Sequence, residues 1–173
     1  METMKNLISV VVTSYNHEKY IEQCLRSIFN QTYRNIELII LDDGSTDGSN
    51  QIIQNVLNDS PFETSFESHE NLGVVKNRNM GLGLTKGDYL LFVDSDNYLD
   101  MDYIEQLYSK LIETNADIAY CDLFNPEKEE FYLKSRKFDL TAFLNASFID
   151  NCSLIRRSII GNARYDEKLN RKK

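Results

Sequence analysis

Residues able to do chemistry collect where three apolar runs stop. The first run ends in Thr13-Ser14-Tyr15-Asn16, the second in Asp42-Asp43-Gly44-Ser45 and the third in Asp94-Ser95-Asp96. Two carboxylates two residues apart at a strand mouth can share one hard divalent cation with phosphate oxygens. Mg²⁺ and Mn²⁺ suit this, since they take a few carboxylates and leave other positions to substrate and water. Other phosphate-holding devices are missing. A dinucleotide site needs Gly-x-Gly-x-x-Gly after the first strand, where this chain has Thr13-Ser14-Tyr15-Asn16. The near match, Gly81-Leu82-Gly83, falls inside a predicted helix after a different element, and no Walker loop occurs. A phosphate ligand would therefore rest on a cation rather than on a glycine nest.

Asp43-Gly44-Ser45-Thr46-Asp47-Gly48 also matches the start of an EF-hand loop. That reading fails on Gln54, which stands where the loop needs its final Glu, and on the strand that precedes it. Read locally, Asp43-Gly44 is a turn and Asp47 a helix cap, yet that leaves two acids closing a buried strand without a purpose.

The elements that must position these groups alternate. Leu7–Thr13 and Ile36–Leu41 are continuous and rich in β-branched residues, the pattern of strands buried on both faces. Between them Tyr20, Ile21, Cys24, Leu25, Ile28 and Phe29 mark one face of a helix over Glu18–Asn30. Asp47 caps a second helix carrying Ile52, Ile53, Val56 and Leu57, and Phe62–Glu67 reads as a third strand. Gly73–Leu84 is a loop entering a helix, Tyr89–Val93 a strand, and Ile104, Leu107, Tyr108 and Leu111 mark another helix. Ile118–Leu123 reads as a further strand. Beyond Asn125 the pattern gives a strand near Phe131–Leu133, a helix over Thr141–Phe148 and a strand through Cys152–Ile155. This predicts an α/β fold: a doubly wound, mostly parallel sheet with helices on both faces. Ligands in such sheets sit beyond the carboxyl ends of the strands, where the polar clusters stand.

The 173 residues, 42% hydrophobic and 27% charged, suit one domain with a real core. Three cysteines without a Cys-x-x-Cys spacing exclude a disulfide scaffold and fit reduced thiols in a cytoplasmic setting. The net charge of −8 argues against a nucleic-acid partner. Seven basic and two acidic residues lie between Arg156 and Lys173. That stretch reads either as a solvated edge or as a patch for peripheral association with an anionic membrane. The apolar runs are far shorter than the ~20 residues of a membrane span. With no secretion signal in the sequence, the Asn-x-Ser/Thr triplets are read as chance.

The ordered set Val10-Val11-Val12-Thr13-Ser14-Tyr15-Asn16, Ser27-Ile28-Phe29-Asn30-Gln31-Thr32, Glu37 through Asp47, Asn71-Leu72-Gly73, Arg78-Asn79-Met80-Gly81 and Gly87 through Asp96 resembles the family 2 glycosyltransferases of GT-A fold, which is Rossmann-like. The resemblance runs from Leu7 to Asp100, and Tyr165-Asp166-Glu167-Lys168-Leu169 resembles the segment before that family's catalytic acid. It implies inverting transfer of a sugar from a nucleotide-diphosphate donor, usually a UDP-sugar, to a saccharide or lipid-linked acceptor. It implies that Thr13 and Tyr15 line the base pocket, with the Tyr15 ring on uracil. Asp43 would accept from the uracil imide, Arg78 would reach the nucleotide, and Asp94 would contact the ribose region. Asp96, together with Asp94, would serve Mn²⁺ or Mg²⁺ on the diphosphate. The chain departs from the pattern at Asn97, where many members carry a further acid. The family's general base lies downstream of Tyr165–Leu169, so no catalytic base is assigned here. The implied organisation is one domain over 1–173, with 7–100 binding the nucleotide sugar and 101–173 beginning an incomplete acceptor side. On that reading the chain is a shortened, transfer-deficient fragment.

Two other functions compete: a nucleotide-sugar binding module without catalysis, and a phospho-acceptor receiver domain, which also uses strand-end acids. A receiver would want its acid pair after the first strand; here it follows the second. His17 sits beside the first strand end, where it could touch a phosphate, but reads first as a first-turn helix residue, and His69 reads as a loop residue without a role. Cys24, Cys121 and Cys152 read as small core residues, and Tyr98, Tyr103 and Tyr108 as packing.

Overall fold

The computed structural model describes residues 6–125, 128–139 and 150–169. Four parallel strands form the centre: β1 (Ile8–Ser14), β2 (Ile36–Asp42), β3 (Glu63–Ser68) and β4 (Tyr89–Asp94). Helices α1 (Ile21–Phe29), α2 (Ser49–Leu57) and α3 (Val74–Leu84) connect them, and α4 (Tyr103–Thr114) follows β4. Beyond lie β5 (Ile118–Ala119), β6 (Leu123–Asn125), β7 (Glu130–Leu133), β8 (Leu154–Arg156), a short helix α5 (Arg157–Ile160) and a 3₁₀ turn at Glu167–Leu169. The sheet order is β3-β2-β1-β4-β8-β5, with β8 antiparallel to both neighbours.

The apolar runs dictate this layering. All seven residues of β1 and of β2 are buried, so both faces must be covered. Residues alternate along each strand. Ile8, Val10, Val12, Leu38, Ile40, Leu91 and Val93 pack with Ile21, Leu25, Ile28, Ile53, Ile104 and Leu107 of α1, α2 and α4. Val11, Ile39, Leu41, Leu90 and Phe92 face the other way, against Met80 and Leu82 of α3 and Ile160 of α5. A Cβ on Gly81 would stand 2.7 Å from Val11 Cγ1, so the glycine lets α3 lie close to the sheet.

One buried acid ties the sheet's amino end together. Glu37, 5% exposed, accepts from Ser9 Oγ, Lys86 N and Gly87 N. These charge-assisted bonds offset much of the cost of burying a carboxylate. A Cβ on Gly87 would meet Ser9 N at 2.7 Å and Leu7 O at 2.8 Å, so only glycine fits the turn entering β4.

The doubly wound, mostly parallel arrangement matches the sequence reading, with details corrected. The predicted strand Ile118–Leu123 is two strands: β5 joins the main sheet through β8, while β6 pairs with β7 in a separate ribbon. The chain leaves the sheet where Asp122 accepts from Ser135 N and Oγ, which fastens it to the ribbon. The strand predicted over Cys152–Ile155 runs Leu154–Arg156. The first helix starts at Ile21 rather than Glu18, after a turn in which Tyr20 N and Ile21 N donate to His17 O. Asp47 sits one residue before the α2 cap position, held by Gly48. It accepts from Ser49 N at 3.0 Å and Glu18 N at 3.0 Å. It therefore binds α2 to the loop before α1. The helix predicted over Thr141–Phe148 lies outside the described residues. A receiver-type order would set β1 between β2 and β3; here it lies between β2 and β4.

Candidate functional site

Parallel pairing brings the three polar clusters to one edge. Ser14 is in register with Asp42, and Thr13 with Asp94. A cleft of about 210 Å³ opens there. Thr13, Tyr15, Asp43, Arg78, Asp94 and Asp96 all line it, so every site residue inferred from sequence meets in one place.

Asp42, which ends β2, and Asp43, just past it, have different partners. Asp42 is fully buried and holds the following loop. It accepts from Ser45 N at 2.8 Å, Asn50 Nδ2 at 3.0 Å and Ser68 Oγ at 3.3 Å. Asp43 faces the cleft and reaches across to the loop before α3. Its Oδ1 accepts from Leu72 N at 2.7 Å and its Oδ2 from Gly73 N at 2.9 Å. Gly44 takes φ +76, and a Cβ there would stand 2.7 Å from Asn71 N, so this crossing requires glycine. Asn16, itself at φ 54, joins the first two strand ends: its Oδ1 accepts from Thr46 N at 2.8 Å.

The third strand end carries the ion pair. Arg78 Nη2 on α3 donates to Asp94 Oδ1 at 2.8 Å, and Thr13 Oγ1 donates to the same oxygen at 3.3 Å. The guanidinium lies 5.8 Å from the Tyr165 ring centroid. Asn79 fixes that ring's backbone in both directions, accepting from Tyr165 N at 2.9 Å and donating to Tyr165 O at 3.1 Å. The Tyr165 segment thus docks beside the cleft. Burial raises the Tyr165 hydroxyl above its ordinary pKa; Arg78 opposes the rise and Asp94 adds to it. Burial, reinforced by Asp96 and Asp94, pushes the Cys24 thiol far up, so it is inert packing beside the site.

Asp96 is exposed, and no hydrogen-bond donor or cation meets its carboxylate among the described residues. No group of three or more His, Cys, Asp or Glu residues able to hold a metal occurs among them either. That donor set fits a diphosphate-bound divalent ion, which needs only one or two carboxylates and takes its other ligands from phosphate and water. Three buried polar atoms in the lining, Ser14 Oγ, Asn71 Oδ1 and Arg78 Nε, have no hydrogen-bond partner among the described residues. Orphaned polar atoms in a cleft mark where a polar ligand completes the structure. Asn71 lines the cleft although the sequence reading gives it no site role, and His17, read first as a helix-turn residue that could touch a phosphate, lines it too. The signal for Asn71 was its place beside Leu72-Gly73, the loop that the strand-end acid grips.

A family model described as Glycosyl transferase family 2 matches residues 9–164. The chain belongs to glycosyl transferase family 2. Among its relatives in this family, the glycosyltransferase GlyA of Streptococcus pneumoniae is 36% identical over 148 residues, 83% of this chain and 21% of the relative. An uncharacterized glycosyltransferase of Haemophilus influenzae is 37% identical over 146 residues, 82% of this chain and 58% of the relative. The family 2 chain thus spans less than two thirds of either relative. A crystal structure of S. aureus TarS superposes with a TM-score of 0.74 at 25% identity, covering 95% of this chain and 52% of that one. A further crystal structure of TarS is in complex with UDP-GlcNAc. No helix among the described residues is long and apolar enough to cross a membrane.

Proposed function

We propose that this chain forms the donor-binding part of an inverting, metal-dependent glycosyltransferase that takes a UDP-sugar. The observation that carries the proposal is the convergence of Thr13, Tyr15, Asp43, Arg78, Asp94 and Asp96 on one cleft at the strand ends. The family match and the UDP-GlcNAc complex of TarS support a nucleotide-sugar donor.

Each residue has a task suited to its setting. The half-buried Tyr15 offers a ring face to the base. Asp43 is held rigidly by two backbone N–H groups and retains lone pairs for the uracil imide. Asp94 turns Arg78 toward the nucleotide. Asp96, with Asp94 beside it, would hold Mn²⁺ or Mg²⁺. That ion supplies Lewis-acid stabilisation of charge growing on the leaving diphosphate. Arg78 adds a fixed positive charge on the same edge of the sheet. The acceptor is a saccharide or a lipid-linked group, and its general base is not assigned to any described residue.

Calorimetry with UDP, GDP and ADP, each with and without Mn²⁺, tests the reading. UDP is expected to bind tightest and only with the ion. Equal affinity for the three diphosphates would refute the base-pocket assignment.

A further inference from the structure

The cleft has a charge problem that its assigned residues do not solve. Asp43, Asp94 and Asp96 bring three carboxylates, while the one guanidinium in the lining, that of Arg78, pairs through Nη2 with Asp94 and so offsets only one of them. A diphosphate is itself anionic. One divalent ion on Asp96 occupies only part of its oxygens, and no glycine-rich loop offers backbone N–H groups to the rest.

His17 stands where a donor is needed. It lines the cleft together with Asp94 and Asp96. Its Nδ1 is 2.7 Å from Ser95 Oγ, the residue between those two acids. Ser95 is fully buried, and its own N–H donates to Thr13 O at 3.2 Å, so it is a fixed anchor. The histidine backbone is held at both ends. Its N–H donates to the buried Ser49 Oγ at 3.0 Å, and its carbonyl accepts from Tyr20 N and Ile21 N at 2.9 and 3.0 Å. The Nε2 atom has no hydrogen-bond partner among the described residues. With the Ser95 hydroxyl donating to Nδ1, a neutral ring carries its proton on Nε2.

We propose that His17 donates from Nε2 to a phosphate oxygen of the nucleotide diphosphate, and that Ser95 is the positioning residue that sets the ring. This rests on the nucleotide-sugar reading and gives a geometric basis to a phosphate contact that sequence ranked below a plain helix-turn role. It also gives the middle position of Asp94-Ser95-Asp96 a purpose: a small buried hydroxyl steers a donor to the phosphates its neighbours reach through the ion.

The test uses the 173-residue chain with Mn²⁺, and UDP and uridine as probes, followed by calorimetry for the first and NMR titration for the second. His17→Asn keeps an amide near Nδ1 for Ser95 but removes the outward donor. His17→Gln carries an amide to the Nε2 position. His17→Asn is expected to lose about tenfold or more in UDP affinity, the worth of one hydrogen bond to a charged group. Its affinity for uridine, and its thermal midpoint, should match wild type. His17→Gln should retain most of the UDP affinity, and Ser95→Ala should lose UDP affinity without losing uridine. Wild-type UDP binding by His17→Asn overturns the proposal, as does an equal loss for uridine. If the wild-type chain binds neither probe, the nucleotide-sugar reading itself fails and this inference falls with it.

Discussion

Replacing Asp43 by Ala should act twice, and the two effects can be measured apart. The carboxylate is 4% exposed and accepts from Leu72 N at 2.7 Å and Gly73 N at 2.9 Å. Gly73 is buried, so its N–H has no ready replacement in water. A hydrogen bond to a charged group contributes about 1.5–3 kcal/mol, and the half-buried Leu72 recovers part of its loss through solvent. The substitution should therefore cost about 2–4 kcal/mol of stability. For a chain of this size that is a fall of roughly 5–15 °C in thermal midpoint. UDP affinity should drop by about tenfold or more from the lost imide acceptor alone, measured well below the new midpoint. Asp43→Asn keeps one oxygen acceptor, and should fall between Ala and wild type in stability while losing UDP selectivity over GDP. A wild-type midpoint for Asp43→Ala would refute the claim that this carboxylate holds the loop before α3. A lowered midpoint with unchanged UDP affinity would refute its place in the base pocket.

Three further outcomes are expected. Asp96→Ala should abolish the Mn²⁺ dependence of UDP binding along with most of the affinity, whereas Asp94→Asn should do less damage; equal UDP binding in excess chelator would remove the role given to Asp96. Arg78→Ala should weaken UDP binding and loosen the segment at Tyr165, because it strips the partner from Asp94 and the cation from the Tyr165 ring; amide exchange around Asn79 and Tyr165 reads the second effect. Partial burial works against ionising Asp47, but bonds from Ser49 and Glu18 outweigh it and hold the acid below its ordinary pKa. Its contribution is complete above the unfolded value of about 3.9 and is lost as pH falls through the lower folded value. The stability gap between wild type and Asp47→Ala in urea titrations should accordingly be constant at neutral pH and close in acid.

What was legible in the sequence divides along physical lines. Val10, Val12, Ile39 and Leu91 sit in strands buried on both faces, and such strands are written as unbroken apolar runs. Their ends, and hence the cleft, could be placed to within a residue. Beyond Asn115 the strands shrink to two to four residues, too short for a clear period, so Ile118 through Leu123 read as one element although its ends serve different sheets. Contacts across the chain left no local trace either. The Arg78–Asp94 pair and the bonds joining Asn79 to Tyr165 exist because α3 lies over the strand ends. His17 starts a helical turn, so sequence ranks its structural role above the phosphate contact, and the order changes only when Ser95 is seen against its ring.

The acids around the sheet show why the proposed metal role falls first to Asp96. Glu37 serves the turn entering β4, Asp42 the loop after β2, and Asp43 the loop before α3, each by accepting backbone N–H groups. Asp47 binds two helix starts together, and Asp94 spends one oxygen on Arg78 and Thr13. A carboxylate with such partners has fewer lone pairs left for an ion, although the Oδ2 of Asp94 stays clear of the two bonds on its Oδ1. Asp96 has no such partners among the described residues, stands exposed at the mouth, and is carried by the rigid Asp94-Ser95 backbone. Coordination there exchanges only water. The assignment of Asp96 thus follows from what every neighbouring acid is already doing, and not from the Asp-x-Asp spacing alone.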